Sequence, residues 1–284
     1  MTPVPPDEFS LRVLGWAWRN YSDIKARLKE VRDWFRSAPP TDPARGILII
    51  GPGGAGKTTL ARILSGDFDW LTDDPWEYDQ SYGVEEYALS DDPGVSVVVP
   101  PGQVMRRAAT WADHEQALAT GKYRGVILVG AFGYESLPHH SYKDHPHFTR
   151  DKDSFLTAYL NDNRAGELGV LRRLCPFLSA APEKLWLLTV TTKEDLWYPD
   201  RKVAVAHYAD GGFPALVESV RSSRGDARFR HEHLPLSLVI ANLVTKSGET
   251  LFKNAEGYDQ RRQVEGIRRL FEVMNALKEW EASK

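Results

Sequence analysis

The stretch "GILIIGPGGAGKTTLARIL", residues 46–64, decides how the rest of the chain is understood. Residues 46–50 are an apolar run of the kind buried in a parallel sheet. The turn Gly51-Pro52-Gly53-Gly54-Ala55-Gly56-Lys57-Thr58 follows without a gap and has the spacing G-x-x-x-x-G-K-[ST]. Its glycines let backbone N–H groups converge on phosphate oxygens, and the next helix adds the positive end of its dipole. Lys57 is placed to reach the β- and γ-phosphates and the Thr58 hydroxyl to ligate Mg²⁺. The predicted nucleotide-binding set here is Gly51, Gly53, Gly54, Ala55, Gly56, Lys57, Thr58 and Thr59.

Working outward, short apolar runs alternate with helical patterns. Further strands are expected at 94–99, 124–132, 184–191 and 235–243, with an alternating edge strand at 83–89. Helices are expected near 57–66, 104–120, 153–179, 213–223 and 257–282. Such alternation predicts an α/β fold: three layers, a mostly parallel sheet, one antiparallel edge strand. Before the first strand, residues 7–37 are expected to form one amphipathic helix. Leu14, Tyr21, Leu28 and Phe35 repeat there every seven residues, with Ala17, Ile24 and Val31 interleaved. "APPTDPARG" cannot continue that helix, so two units are expected, 1–43 and 44–284.

Composition narrows the function. The 284 residues, 42% hydrophobic, suffice for a sizeable core. A net charge of −3 gives no basic excess for nucleic acid. The single cysteine, Cys175, rules out an internal disulfide and fits a cytoplasmic setting. No apolar run reaches the ~18 residues of a membrane span, and the N-terminus lacks a signal peptide's apolar core.

Two later stretches carry chemistry. "LWLLTVTTKEDLW" ends a strand in Thr192-Lys193-Glu194-Asp195. A carboxylate there accepts from the two N–H donors on guanine's Watson–Crick edge, and the Lys193 stem lies over the ring; adenine offers no such pair. "VSVVVPPGQ" ends another strand in a turn holding Gly102 and Gln103, with Val99 just before it.

With these residues the chain resembles the small GTPases of the Ras superfamily, nearest the ADP-ribosylation-factor and Rho-like branches. "GPGGAGKTTL" is similar to the phosphate loop of the former, "TKED" to the base motif of the latter, and "QSYGVEEYALSDDPGVSVVVPPGQ" to the segment between switch I and switch II. The resemblance covers about 46–245 and implies a Ras-like P-loop fold binding GTP/GDP with Mg²⁺. It also implies that Ser81 ligates the metal with Thr58, that the Gly102 N–H senses the γ-phosphate, and that Gln103 orients the attacking water. Gln103 and Lys57 are then the catalytic pair, and Thr192, Lys193 and Asp195 join Gly102 in holding nucleotide.

Three departures accompany it. Val99 stands where a switch II aspartate holds Mg²⁺ through water, Ser81 replaces threonine, and the expected SA[KL] base loop has Ala241-Asn242 as its nearest match. No other strand supplies an acid, since Gly130 occupies the position of an ATPase's Walker B carboxylate. Slow hydrolysis is therefore expected. A pseudo-GTPase scaffold and a P-loop ATPase stand as the alternatives, the latter opposed by TKED.

Other motifs have blander explanations. His139, His140, His145 and His147 with Asp144 lie in a polar, proline-containing stretch expected to be a surface loop rather than a metal site. In the N-terminal helix, Trp16 and Trp18 beside several basic residues admit membrane contact, but Asp23, Glu30 and Asp33 dilute the positive face. A protein effector or complex partner, met through the switch regions or this helix, is the expected contact.

Overall fold

The computed structural model of the chain describes residues 45–67, 83–89 and 94–283. The expected N-terminal helix, the 1–43 unit and Ser81 lie outside the described residues. Six strands form one sheet: β1 (Gly46–Ile50), β2 (Glu85–Ala88), β3 (Ser96–Val99), β4 (Tyr123–Gly130), β5 (Leu185–Thr191) and β6 (Phe229–Pro235). Their order across the sheet is β2-β3-β1-β4-β5-β6. All neighbours run parallel except β2, which pairs antiparallel to β3 with Glu85 opposite Val99. This is the mostly parallel sheet with one antiparallel edge that the alternation predicts.

The central strands are apolar throughout because helices flank the sheet. Every residue of β4 and β5 is buried. The helices are α1 (Lys57–Leu64), α2 (Val104–Ala119), α3 (Lys152–Ala180), α4 (Glu194–Trp197), α5 (Arg201–Ala209), α6 (Gly212–Arg224) and α7 (Gln260–Ala282). Helices α2, α3 and α6 pack side by side, α1 lies on β1 and β3, and α7 on β5 and β6. Helix α7 buries Ile267, Leu270, Phe271, Met274 and Leu277, an i, i+3, i+4, i+7, i+10 stripe. Its far end is pinned to the start of β1, where Arg45 Nη1 meets Glu281 Oε1 at 3.2 Å.

The expected strand at 235–243 is a correction. The sixth strand is "FRHEHLP", and 236–242 is a loop leading to a small antiparallel hairpin, β7 (Leu243–Val244) and β8 (Thr250–Phe252). The physical reason is position: β6 pairs only with β5, so it needs no continuous apolar run. The residues of "LSLVIANL" are apolar because the loop folds inward. Leu236 and Leu238 are buried, and the Tyr258 hydroxyl accepts the Ser237 N–H at 3.0 Å.

Candidate functional site

The phosphate loop runs from the end of β1 into α1. Gly56 sits at φ +93° as the residue before the helix, and Lys57 opens it with only 7% exposure. Lys57 Nζ folds back over the loop to the Pro52 carbonyl at 2.8 Å, which aims the ammonium across the loop mouth. Ala55 is buried beneath, and Thr58 and Thr59 follow in the first helical turn. Behind the loop, the Ser136 N–H reaches the Gly54 carbonyl at 3.2 Å, so the segment after β4 forms its outer wall.

The Gly102-Gln103 turn comes up against the same loop. A Cβ at Gly102 would fall on Lys57 Nζ and on the Gly51 carbonyl oxygen, so only glycine permits this approach. Gln103 crosses above Gly53, where an added Cβ would lie 3.3 Å from Gln103 Cγ. Its Oε1 is buried with no hydrogen-bond partner among the described residues. A buried amide oxygen left open at this point is an acceptor in waiting. The turn itself is fastened from below: Trp111 on α2, fully buried, donates from Nε1 to the Pro101 carbonyl at 2.9 Å. Val99 is 1% exposed and carries no polar atom to this side.

At the end of β5, Thr192 joins the two halves of the site. Its hydroxyl donates to the Ala55 carbonyl at 2.7 Å and contacts the Gly130 carbonyl at 3.1 Å. Lys193 follows at φ +58°, before α4. Its Nζ donates to the Tyr134 carbonyl at 2.7 Å and to Ser136 Oγ at 3.0 Å. The ammonium thus braces the wall behind the phosphate loop. Burial pulls its pKa down to about 8, against the upward pull of Glu135 and Asp195.

Asp195 is 1% exposed. Its Oδ1 accepts from Ser237 Oγ and its Oδ2 from the Ala241 N–H at 3.1 Å, while the Asp195 N–H donates to Ser237 Oγ at 2.7 Å. Burial raises its pKa and the Ser237 and Ala241 donors oppose the rise. Sequence reasoning missed Ser237. It sits within "PLSLV", read as strand interior, and the signal that would have found it is a small hydroxyl two residues after the strand's proline. Ala241, the nearest match in the sequence, does touch Asp195, through its backbone; Asn242 instead accepts the Asn254 N–H at 2.9 Å.

The predicted residues therefore converge: Gly51 to Thr59 with Gly102 and Gln103 at one end, Thr192 as the link, Lys193 and Asp195 at the other. A phosphate-binding turn follows the central strand of a sheet ordered β2-β3-β1-β4-β5-β6, whose edge strand alone is antiparallel. The chain has a Ras-like P-loop fold.

Comparison with known proteins places short or distant likenesses beside this. No family model matches the chain. Protein SAV of Sulfolobus acidocaldarius is 35% identical over 72 residues, which are 22% of this chain and 9% of that protein. Among solved structures, the mammalian SRP receptor overlays with TM-score 0.41 and 16% identity, over 82% of this chain and 100% of that one. The GDP form of the signal recognition particle receptor SRb from Chaetomium thermophilum gives 0.41 and 16%, over 82% and 97%. The ADP-ribosylation-factor-like protein SAR1, a small COPII coat GTPase from Encephalitozoon cuniculi in complex with GDP, gives 0.38 and 13%, over 95% and 96%.

Among the described residues, no group of three His, Cys, Asp or Glu side chains is placed to hold a metal ion. His145 instead packs edge-on to Phe155 and Tyr159, with ring centroids at 5.5 and 5.3 Å. Among the described residues, no helix is long and apolar enough to cross a membrane.

Proposed function

We propose that the chain binds a guanine nucleotide in this site and works as a slowly hydrolysing, nucleotide-dependent switch or regulatory subunit. The observation that carries the reading is the buried Asp195 carboxylate, held by Ser237 and joined through Thr192 to the phosphate loop. An ionised carboxyl has about four acceptor positions, and Ser237 and Ala241 use two. The remaining two match the N1–H and N2–H donors of guanine. In this reading Lys57 and the loop amides hold the phosphates, and the Gly102 N–H lies where a γ-phosphate is sensed. The open Gln103 Oε1 accepts from the attacking water.

Magnesium fits only as a guest of the nucleotide: the chain offers the Thr58 hydroxyl, with Ser81 proposed as a second ligand, and phosphate oxygens complete the shell. Bound there, the ion neutralises developing phosphate charge. Val99 gives that shell no carboxylate. Outer partners of a metal are worth about 10–100-fold in affinity or activity, which supports slow turnover. The pseudo-GTPase reading is favoured by the same residue and opposed by Gln103.

Calorimetry with GTP, ATP and XTP tests the base. Wild type is expected to prefer GTP, and Asp195→Asn to lose it and accept XTP, whose edge is exchanged; equal ATP and GTP affinity in wild type rejects the reading. Single-turnover assays then separate the two versions: measurable slow hydrolysis, accelerated in Val99→Asp, supports the switch, and none in either protein supports the scaffold.

A further inference from the structure

Behind the phosphate loop lies a buried acid that the proposed function does not use. Glu135 is 3% exposed, and neither of its carboxyl oxygens has a hydrogen-bond partner among the described residues. What lies against it is a second carboxylate, Glu167 of α3, itself 2% exposed. Glu167 already has three donors, which leaves one acceptor position. Its Oε1 accepts the Ala131 N–H at 2.8 Å and the Gly133 N–H at 3.1 Å, and its Oε2 accepts the Tyr208 hydroxyl of α5. Gly130 makes room for it: a Cβ there would lie 2.7 Å from Glu167 Oε2.

The charged groups around the pair are otherwise committed. The Lys193 ammonium, which lies near Glu135 at the end of β5, gives two of its three protons to Tyr134 and Ser136. Arg164 of α3 stacks 3.9 Å over the Phe132 ring and donates to the Phe132 carbonyl at 3.1 Å. His207 of α5 packs edge-on to the same ring, and burial lowers its pKa, so it brings no charge. Two ionised carboxylates are acceptors only, and in contact inside a protein they repel. One proton between them removes the repulsion and supplies the missing donor.

We propose that Glu135 keeps a proton at neutral pH and donates it to Glu167, and that this buried carboxyl–carboxylate pair is the positioning element for the wall, residues 131–136, behind the phosphate loop. The wall's other ties point the same way: Tyr159 OH donates to the Glu135 carbonyl at 2.9 Å, Asn163 Nδ2 to that of Gly133 at 2.8 Å, and Ser136 N to Gly54 at 3.2 Å. Burial and the Glu167 charge push the Glu135 pKa well above its ordinary 4.5, in agreement. The folded chain then holds a proton that the unfolded chain releases above that pH. The pair's contribution to stability is full below pH 4.5 and is lost as the pH rises.

The consequence for nucleotide rests on the proposed function; the proton does not, so the test reads them apart. Infrared spectra of nucleotide-free protein at neutral pH are expected to show a carboxylic-acid carbonyl band that Glu135→Gln removes. Glu135→Gln, a neutral isostere of the protonated acid, is expected to match wild-type thermal stability below pH 4.5 and to lack the decline above it, so that at neutral pH it is at least as stable as wild type. Glu167→Gln, whose amide group cannot accept at both ends, lowers stability, and GTP affinity falls by about tenfold, the worth of one hydrogen bond to a charged group. Absence of the band, its disappearance on metal chelation, or a Glu135→Gln protein as unstable as Glu167→Gln overturns the proposal. A band with no GTP binding by any variant overturns the functional reading alone.

Discussion

Single residues in this site are set by what they would otherwise collide with or leave unpaired. Ser237 is the clearest case, because its hydroxyl both accepts the Asp195 N–H and donates to the Asp195 carboxylate. Ser237→Ala strips a buried carboxyl of one of its two donors, which costs about 1–3 kcal/mol. The variant is expected to melt lower and to discriminate GTP from ATP less sharply; an unchanged melting temperature would mean the carboxylate is served by solvent. Lys57→Ala removes a side-chain cation bonded across the loop, at Pro52. A charged hydrogen bond is worth about 1.5–3 kcal/mol, so GTP affinity measured by calorimetry should drop tenfold or more. The phosphate loop was fully legible in the sequence because its spacing is the mechanism. Ser237 was not, since its role depends on a loop 42 positions from Asp195 coming back to it, and no local pattern records such a return.

Elements were legible where one period dominates. The strands β1, β4 and β5 are buried on both faces and read as continuous apolar runs; α3 and α7 carry sustained helical patterns. The sheet's far edge was misread for the opposite reason. In β6 the middle residues Arg230, His231, Glu232 and His233 are half-covered, their polar atoms answered by neighbours such as Thr189 and Thr191 at 3.0 Å. The short α4 and α5 were passed over because too few residues repeat there. The switch turn is governed at this scale as well. Two prolines and the Trp111 indole hold Pro101, and the ion pair of Arg173 with Glu115 ties α3 to α2 beside it. Trp111→Phe deletes the N–H together with one ring of the buried indole. The cavity lowers the melting temperature, and hydrogen exchange at the Gly102 and Gln103 amides is expected to quicken by more than at the amides of β4 and β5, which report the global loss. No such excess would show that the prolines alone fix the turn.

At the scale of the whole molecule, stability against acid tests whether the β6 edge is as closed as its side chains suggest. His231 and His233 face α5 and α6 from β6, with His233 4.9 Å from the Tyr208 ring, and each Nε2 is bonded to a threonine hydroxyl of β5. Burial pulls both imidazoles from 6.5 down to about 4; at His231 the neighbouring His233 and Arg221 lower it further. Between those two values the unfolded chain binds protons that the folded chain refuses. The pair's stabilisation is therefore complete above pH 6.5 and is lost as the pH falls toward 4. Other groups titrate in this window too, Glu135 with the opposite sign, so the informative quantity is a difference between two proteins. In His231→Gln/His233→Gln the threonines keep neutral polar partners and neither of these two positions takes up a proton. The gap in unfolding free energy between wild type and this variant is expected to be constant above pH 6.5. Below it, the gap should move steadily in the variant's favour, by as much as two protons' worth per pH unit, as the wild type loses its share. Parallel curves down to pH 4 would show that the imidazoles protonate in the folded state and that water reaches this edge of the sheet freely.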